Sequence, residues 1–248
     1  ISFLFGGFVF LILFFIVESR LKEPMLDLKL FKNRLFAMAN IALLLNFMSQ
    51  FTVTLIVPFY LIQLRNLPAS KAGLLLIANP IVVMIIAPIA GHISDRMDSR
   101  YISSAGMVFT SIGLFLLGTL KEDTNLAYLI LYTAIIGFGI GIFQTPNNSA
   151  IMGSVPHERR GTASSMIATM RNLGMVLGVS LSGTLFSARQ IYLTKVFSQK
   201  GIDGIQLKNA SFTGAMKTTF IVGSALAAIA IFISLIRGPL NTKTRKTL

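Results

Sequence analysis

The sequence predicts an all-α membrane protein. Three observations predict it: 54% of the 248 residues are hydrophobic and only 12% charged, the mean hydropathy is +0.74, and the apolar residues gather into runs about as long as a bilayer is thick. Soluble domains carry about 25% charged residues. A hydrocarbon core of about 30 Å is crossed by about 20 helical residues rising about 1.5 Å each. Alternation with period two is absent, and an open sheet leaves its edge groups unsatisfied in lipid, so a barrel is disfavoured.

Seven apolar stretches follow in order: 1–17, 36–64, 73–93, 101–120, 126–145, 162–188 and 212–236. The first starts without Met, has no basic beginning and no small-residue cleavage site, and so reads as the end of a longer helix and not as a signal peptide. Segment 18–35 places Met25, Leu26, Leu28, Leu30 and Phe31 among Asp27, Lys29 and Lys32 after Pro24. It suits either an amphipathic segment on the membrane surface or an ordinary hydrophilic loop. The six complete stretches make a bundle over 36–237, and 238–248 form a tail. Their connectors, 65–72, 94–100, 121–125, 146–161 and 189–211, are too short for a soluble domain. With 18–35 on the cytoplasmic side, that side holds more Lys and Arg, which predicts a cytoplasmic tail.

The net charge of +13 sits between the apolar runs with no aromatic-basic platform, so anionic lipid headgroups fit it better than nucleic acid. There is no cysteine, which removes thiolate metal sites and cysteine nucleophiles. His92 and His157 lie in connectors without a second ligand at helical spacing. No Ser, His and acid trio falls at one depth, and no enzyme activity, metal or cofactor is expected.

Inside the spans the polar residues carry the interest. A charge in a bilayer costs roughly 2.5–3.5 kcal/mol on insertion scales, so Arg171 is a functional candidate or a snorkelling side chain. Asn40, Asn46, Gln50, Gln63, Asn79, Gln144, Asn147 and Asn148 are either interhelical glue or the wall of a wet cavity. Gln50, Tyr60, Asn79, Gln144, Asn147 and Arg171 are the candidates for a substrate cavity. Gly137, Gly139 and Gly141 read G-x-G-x-G, but no strand precedes them and no acidic ribose partner follows, so they suit close packing instead of a dinucleotide. Gly174 and Gly178, extended by Ser182, suit a tight helix crossing. Pro58, Pro80, Pro88 and Pro146 each remove a backbone hydrogen bond, as the helices of a gating device tolerate.

Two connectors stand out. Gly91-His92-Ile93-Ser94-Asp95-Arg96-Met97-Asp98-Ser99-Arg100 packs five formal charges into one turn. Ser154-Val155-Pro156-His157-Glu158-Arg159-Arg160-Gly161 has a proline, then an acid, then a helix start, which suits capping and a charged latch. Either is also readable as a solvated turn.

The first connector resembles the G-x-L-[AS]-D-R-x-G-R-[RK] signature of the major facilitator superfamily at Gly91, Asp95, Arg96 and Arg100, with Asp98 and Ser99 departing from the expected Gly and Arg. Glu23-Pro24-Met25-Leu26-Asp27-Leu28-Lys29-Leu30-Phe31-Lys32-Asn33-Arg34 resembles the linker of that superfamily's fourteen-span drug:proton antiporter branch. Pro58 to Gln63, Ala72-Gly73, Pro80, Pro146-Asn147-Asn148, Val155-Pro156, Arg160 to Ser165 and Arg171 to Gly178 follow in the branch's order. The resemblance implies a six-helix C-terminal transporter half over 36–237. Before it would lie the end of an extra transmembrane helix at 1–17 and a cytoplasmic amphipathic linker at 18–35, with a missing N-terminal half as partner.

It further implies proton-driven efflux of small amphipathic compounds across a bacterial plasma membrane by alternating access. Gly91, Asp95, Arg96, Arg100, Arg159 and Arg160 would be cytoplasmic gating residues, and Gly174 and Gly178 packing residues. No Asp, Glu or His lies deep in a span, so the proton-carrying acids would belong to the missing half. The same fold also serves solute uptake. A membrane-embedded enzyme would need an intramembrane catalytic acid or histidine, which these spans lack.

Overall fold

The computed structural model describes residues 28–94 and 96–238. Stretch 1–17, most of segment 18–35, Asp95 and residues 239–248 lie outside the described residues. A 3-10 turn, Leu28–Lys32, leads into α1, Arg34–Phe59, which continues as a π-helical turn, Tyr60–Leu64. α2, Ala69–Leu76, and α3, Ala78–Ser94, form one membrane-length helix interrupted at Ile77. α4 is Ser99–Leu117, α5 Leu126–Gly153, α6 Arg160–Gln199 and α7 Gly204–Ile236. The all-α class is observed, and no strand occurs among the described residues.

Local chemistry sets the ends of these helices. Asn33 caps α1 by accepting from the N–H groups of Leu35 and Phe36 at 3.0 and 3.4 Å. Asn125 does the same for α5 through Ala127 at 2.9 Å. Such caps satisfy orphan donors at a helix start, each contributing about 1 kcal/mol. The turn between α6 and α7 needs glycine, because Gly201 and Gly204 hold φ of +78° and +62°.

Two expected connectors prove largely helical. α5 runs through Pro146 to Gly153, because the segment beyond the proline buries Asn147, Ala150 and Ile151 against its neighbours. Tertiary packing outweighs the one lost backbone bond. Of 189–211, only residues 200–203 fall between helices; α6 has 40 residues and α7 has 33. At about 1.5 Å per residue α6 is roughly 60 Å long, twice the hydrocarbon thickness. The far parts of α6 and α7 stay zipped beyond the expected span: the Phe186 and Phe212 rings meet edge-on at 5.0 Å, and Leu193 fills the space a side chain at Gly214 would need.

Among the described residues, five helices are long and apolar enough to cross a membrane: Arg34–Leu64, Ala69–Ser94, Ser99–Leu117, Leu126–Gly153 and Gly204–Ile236. α6 has the length, but Arg171, Arg189 and its many Ser and Thr residues lower its apolarity below theirs.

The long helices divide into two triplets, α1 with α2–α3 and α4, then α5 with α6 and α7. α1 packs on α6, and α5 packs on α3, so the first span of each triplet meets the second of the other. α4 meets α7, third against third, while α4 also meets α5 and α7 meets α1. Exchange of the triplets preserves this pattern, as expected of an inverted structural repeat.

Small residues make the crossings tight. A methyl group on Gly139 would stand 2.5 Å from the Gly106 oxygen and from Thr110 Oγ1 on α4. Gly137 and Gly141, on the other side of α5, admit α3 at Asn79 and Ile86. Gly174 and Gly178 admit α1, where added methyls would stand 2.7 Å from the Leu44 oxygen and 2.6 Å from the Met48 oxygen. Short polar side chains bridge the same seams: Thr52 and Ser182 hydroxyls lie 2.7 Å apart, and Ser49 donates to the Gly223 carbonyl at 3.1 Å. In lipid, where apolar contact between helices gains nothing over contact with acyl chains, such packing and hydrogen bonding hold the bundle together.

Gly139→Val is therefore expected to lower stability by about 1–3 kcal/mol through overpacking. Thermal unfolding in detergent checks this against Gly161→Ala, a helical position with nothing within 4 Å, whose midpoint is expected to hold or rise slightly.

Candidate functional site

A cavity of about 260 Å³ opens between α1, the α2–α3 break and α5. α1 contributes Gln50, Val53, Thr54 and Pro58; α2 and α3 contribute Leu76, Asn79 and Pro80; α5 contributes Thr133 and Ile136. Among the described residues no charged side chain lines it. Gly137 is the reason Asn79 reaches this wall, since the Asn79 carbonyl lies where a Cβ of residue 137 would be, 2.6 Å away. The Asn79 Nδ2 donates to the Thr133 carbonyl at 3.2 Å, which fixes the amide, and its Oδ1 accepts no hydrogen bond among the described residues. Gln50 is half-buried on the same wall, and its side-chain amide makes no hydrogen bond among the described residues. The cavity thus offers one free amide and one free carbonyl oxygen in an apolar setting, the arrangement that orients an uncharged ligand with hydrogen-bonding edges.

Pro58 borders the cavity and has no N–H to give to α1. One residue past Phe59 the helix switches to its π turn, a widening that recurs at functional sites. The turn is pinned from the α4–α5 connector: the Tyr60 hydroxyl donates to the Lys121 carbonyl at 2.8 Å, and Arg65 Nη1 to the Thr124 carbonyl at 2.6 Å. Asn209 on α7 holds the same connector through the Glu122 carboxylate.

At the opposite end, which carries the 94–99 and 154–159 connectors and the end of α7, the polar groups form a second assembly. Asp98 caps α4, accepting from the Arg100 N–H at 2.9 Å, and pairs with the Arg100 guanidinium at 3.6 Å. Arg100 also donates to the Tyr101 hydroxyl at 2.7 Å and covers that ring at 4.4 Å. Asn33 reaches across to the Ser154 carbonyl at 2.9 Å. Deepest of all is Arg237, 2% exposed, whose guanidinium donates to Asn147 Oδ1 at 2.8 Å and Ser99 Oγ at 3.0 Å. Burial pulls its pKa down to about 10, opposed by the charge of Asp98 and reinforced by that of Arg100, so it stays charged at neutral pH.

The family model described as Major Facilitator Superfamily matches residues 1–179. The chain belongs to the Major Facilitator Superfamily. It is 36% identical over 221 residues to the riboflavin transporter RibZ of Clostridioides difficile (strain 630), covering 88% of this chain and 48% of that one. It is 31% identical over 208 residues to multidrug resistance protein 3 of Bacillus subtilis (strain 168), covering 84% and 39%. The crystal structure of a bacterial homolog of the human lysosomal transporter Spinster, inward-facing and unoccupied, shares the fold with a TM-score of 0.60 at 18% identity, covering 84% of this chain and 43% of that one. The chain spans about half the length or less of these relatives. The family and these relatives are transporters, not enzymes.

Within the superfamily's fold the candidate residues separate. Gln50 and Asn79 share the cavity. Tyr60, 1% exposed, faces away from it into the α4–α5 connector. Asn147 is buried and bonds Arg237 and the Ala39 carbonyl, the latter at 3.1 Å. Gln144 is half-buried on α5 outside the cavity lining. Arg171 is exposed, has no hydrogen bond or ion pair among the described residues, and lies on the α6 stripe of Gly174, Gly178 and Ser182. Gly91 packs near Thr145 of α5, Arg96 and Arg159 are exposed and Arg160 half-buried, and Asp95 lies outside the described residues.

Two roles escaped the sequence. Asp98, a departure from the superfamily signature, is the α4 cap; an acid directly before Ser99 was the available sign. Arg237, at the edge of an apolar run and before Gly238-Pro239, reads in sequence as an ordinary membrane-flanking cation, and only the packing reveals that it points inward.

Tyr60→Phe is expected to lower stability by about 0.5–1.5 kcal/mol, the contribution of one hydrogen bond, and to leave the KM for transported solute unchanged. Thermal unfolding together with a concentration series of transport measures both.

Proposed function

We propose that this chain is the C-terminal half of a proton-coupled exporter of small amphipathic compounds, of the fourteen-span drug:proton antiporter branch. The observation that carries this reading is the uncharged cavity of Gln50, Thr54, Asn79 and Thr133, set beside Pro58 and the α2–α3 break in a bundle of two exchanged triplets. Interrupted helices beside a midplane cavity are the recurring setting of a transporter binding site. The relatives named as multidrug resistance proteins favour export of varied solutes. The linker-like sequence 23–34 favours the fourteen-span branch.

The chemistry of the cavity narrows the solute. With no carboxylate on its walls it gives no counter-charge to a cation, and its free amide and carbonyl suit neutral, partly aromatic molecules with hydrogen-bonding edges. Every Asp and Glu of the chain lies outside the spans, so proton coupling falls to acids in an N-terminal half. That half, the lipid bilayer, protons and the solute are the partners, in a bacterial plasma membrane with the tail in the cytoplasm. Arg171, exposed and unpaired on α6, faces the translocation path in this assignment, and Gly91, Asp95, Arg96, Arg100, Arg159 and Arg160 gate its cytoplasmic mouth. Uptake is the second reading, favoured by the relative named as a riboflavin transporter.

Inside-out vesicles containing the full transporter decide between them. Export predicts that riboflavin or a neutral dye accumulates when a proton gradient is imposed and leaks out when a protonophore collapses it; accumulation indifferent to the gradient defeats proton coupling. Gln50→Ala is expected to raise KM about threefold to tenfold, the scale of one lost hydrogen bond. Arg171→Ala is expected to cut flux severalfold at an unchanged membrane level, read by immunoblot alongside transport.

A further inference from the structure

Arg237 is the largest of the fully buried side chains, yet it makes no ion pair among the described residues. Its bonds go to neutral groups on two other helices: Asn147 Oδ1 on α5 and Ser99 Oγ at the first residue of α4. Asn147 passes the tie on, since its Nδ2 donates to the Ala39 carbonyl of α1. The amide cannot flip without placing its donor against the guanidinium, so one arginine sets the register of α7, α5, α4 and α1 together. The tie meets α5 directly after Pro146, where the helix lacks a backbone bond of its own. α3 and α6 are outside it. These two helices flank the bundle, and they present Ile81, Met84, Ile85 and Ile89, and Leu173, Val176 and Leu177, outward.

We infer that Arg237 is a positioning residue for transport, clasping α1, α4, α5 and α7 at this end so that they keep one register and move together during the access change. A charged donor makes the clasp firm, because hydrogen bonds from an ionised group are about twice as strong as neutral ones. Polar atoms around the tie depend on its closure: Arg237 Nε, Ser103 Oγ one turn inward on α4, and Ser234 Oγ one turn inward on α7 are buried without partners among the described residues. Loss of the clasp would let water reach these groups first.

The inference rests on the transport reading for its kinetic consequence, and on the packing alone for its accessibility consequence, so the two fail separately. In the full transporter in membranes, Arg237→Gln is expected to lower turnover about tenfold with KM for riboflavin or a neutral dye within twofold of the parent. Arg237→Lys, which keeps the charge and cannot span both acceptors, is expected to recover part of that loss. In a cysteine-free background, Ser103→Cys is expected to react with a hydrophilic maleimide severalfold faster when combined with Arg237→Gln, while a reference cysteine at exposed Thr119 reacts at a constant rate. If Arg237→Gln does not accumulate, Ser99→Ala, which removes one bond and leaves the arginine in place, is expected to lower turnover about threefold with the same rise in labelling. Unchanged labelling at Ser103 overturns the clasp whatever the transport result. Faster labelling with unchanged turnover overturns the positioning role, and a change in KM instead of turnover does the same.

Discussion

Helix against helix, within the distance that only a missing Cβ permits, is the contact on which the rest of this structure depends. Lipid offers apolar side chains the same company a neighbouring helix would, so burial of Leu and Ile does little to assemble the bundle. What assembles it is backbone approach: α5 on α4 where Gly139 meets Gly106, α5 on α3 at Gly137 and Gly141, and α6 on α1 at Gly174 and Gly178. Each approach also places a polar group. Gly137 brings Asn79 to the cavity wall, and the α6–α1 crossing sets the hydroxyls of Ser182 and Thr52 against each other.

The same constraint explains how polar chemistry is distributed. Side chains within the bundle that carry donors or acceptors are mostly neutral and satisfied nearby, as with Ser111 and Ser224, which bond reciprocally across α4 and α7. Ionised groups gather at the two ends, where they stitch connectors: Arg65 to Thr124 at one, Asp98 with Arg100 at the other. Two cations break the pattern in opposite ways. Arg171 stands deep in sequence yet outward in space, whereas Arg237 stands at a helix end yet wholly enclosed. The cavity between α1, α3 and α5 is lined by uncharged side chains, and neither cation is among them.

Much of this was legible in the residues. Run length and composition located the long helices, five of which are apolar enough to span a membrane among the described residues, and the glycine spacing at 174 and 178 named a crossing that the packing contains. Gln50 and Asn79 were identifiable as polar residues on apolar helices, and they do share one cavity. What could not be read was the partner of each polar side chain. Tyr60 and Asn147 are as polar as Gln50, but a tyrosine beside a connector and an amide beside a buried guanidinium are spoken for, and that depends on contacts between residues 61 and 90 positions apart in the chain. Helix ends were equally opaque. Pro146 and the charged residues after 188 carry the local marks of loops, and only the packing of Ala150, Ile151 and Leu193 keeps those segments helical.

The paired ends of α6 and α7 have a practical corollary. Closed by Gly201 and Gly204 and zipped by Phe186, Phe212 and Leu193, they form a stiff antiparallel stalk that outreaches the lipid on the side away from Arg237. Membrane transporters of this size give electron microscopy little to align on. A nanobody raised against this stalk, or a rigid fiducial grafted onto its tip, would supply an orientation marker fixed to the bundle.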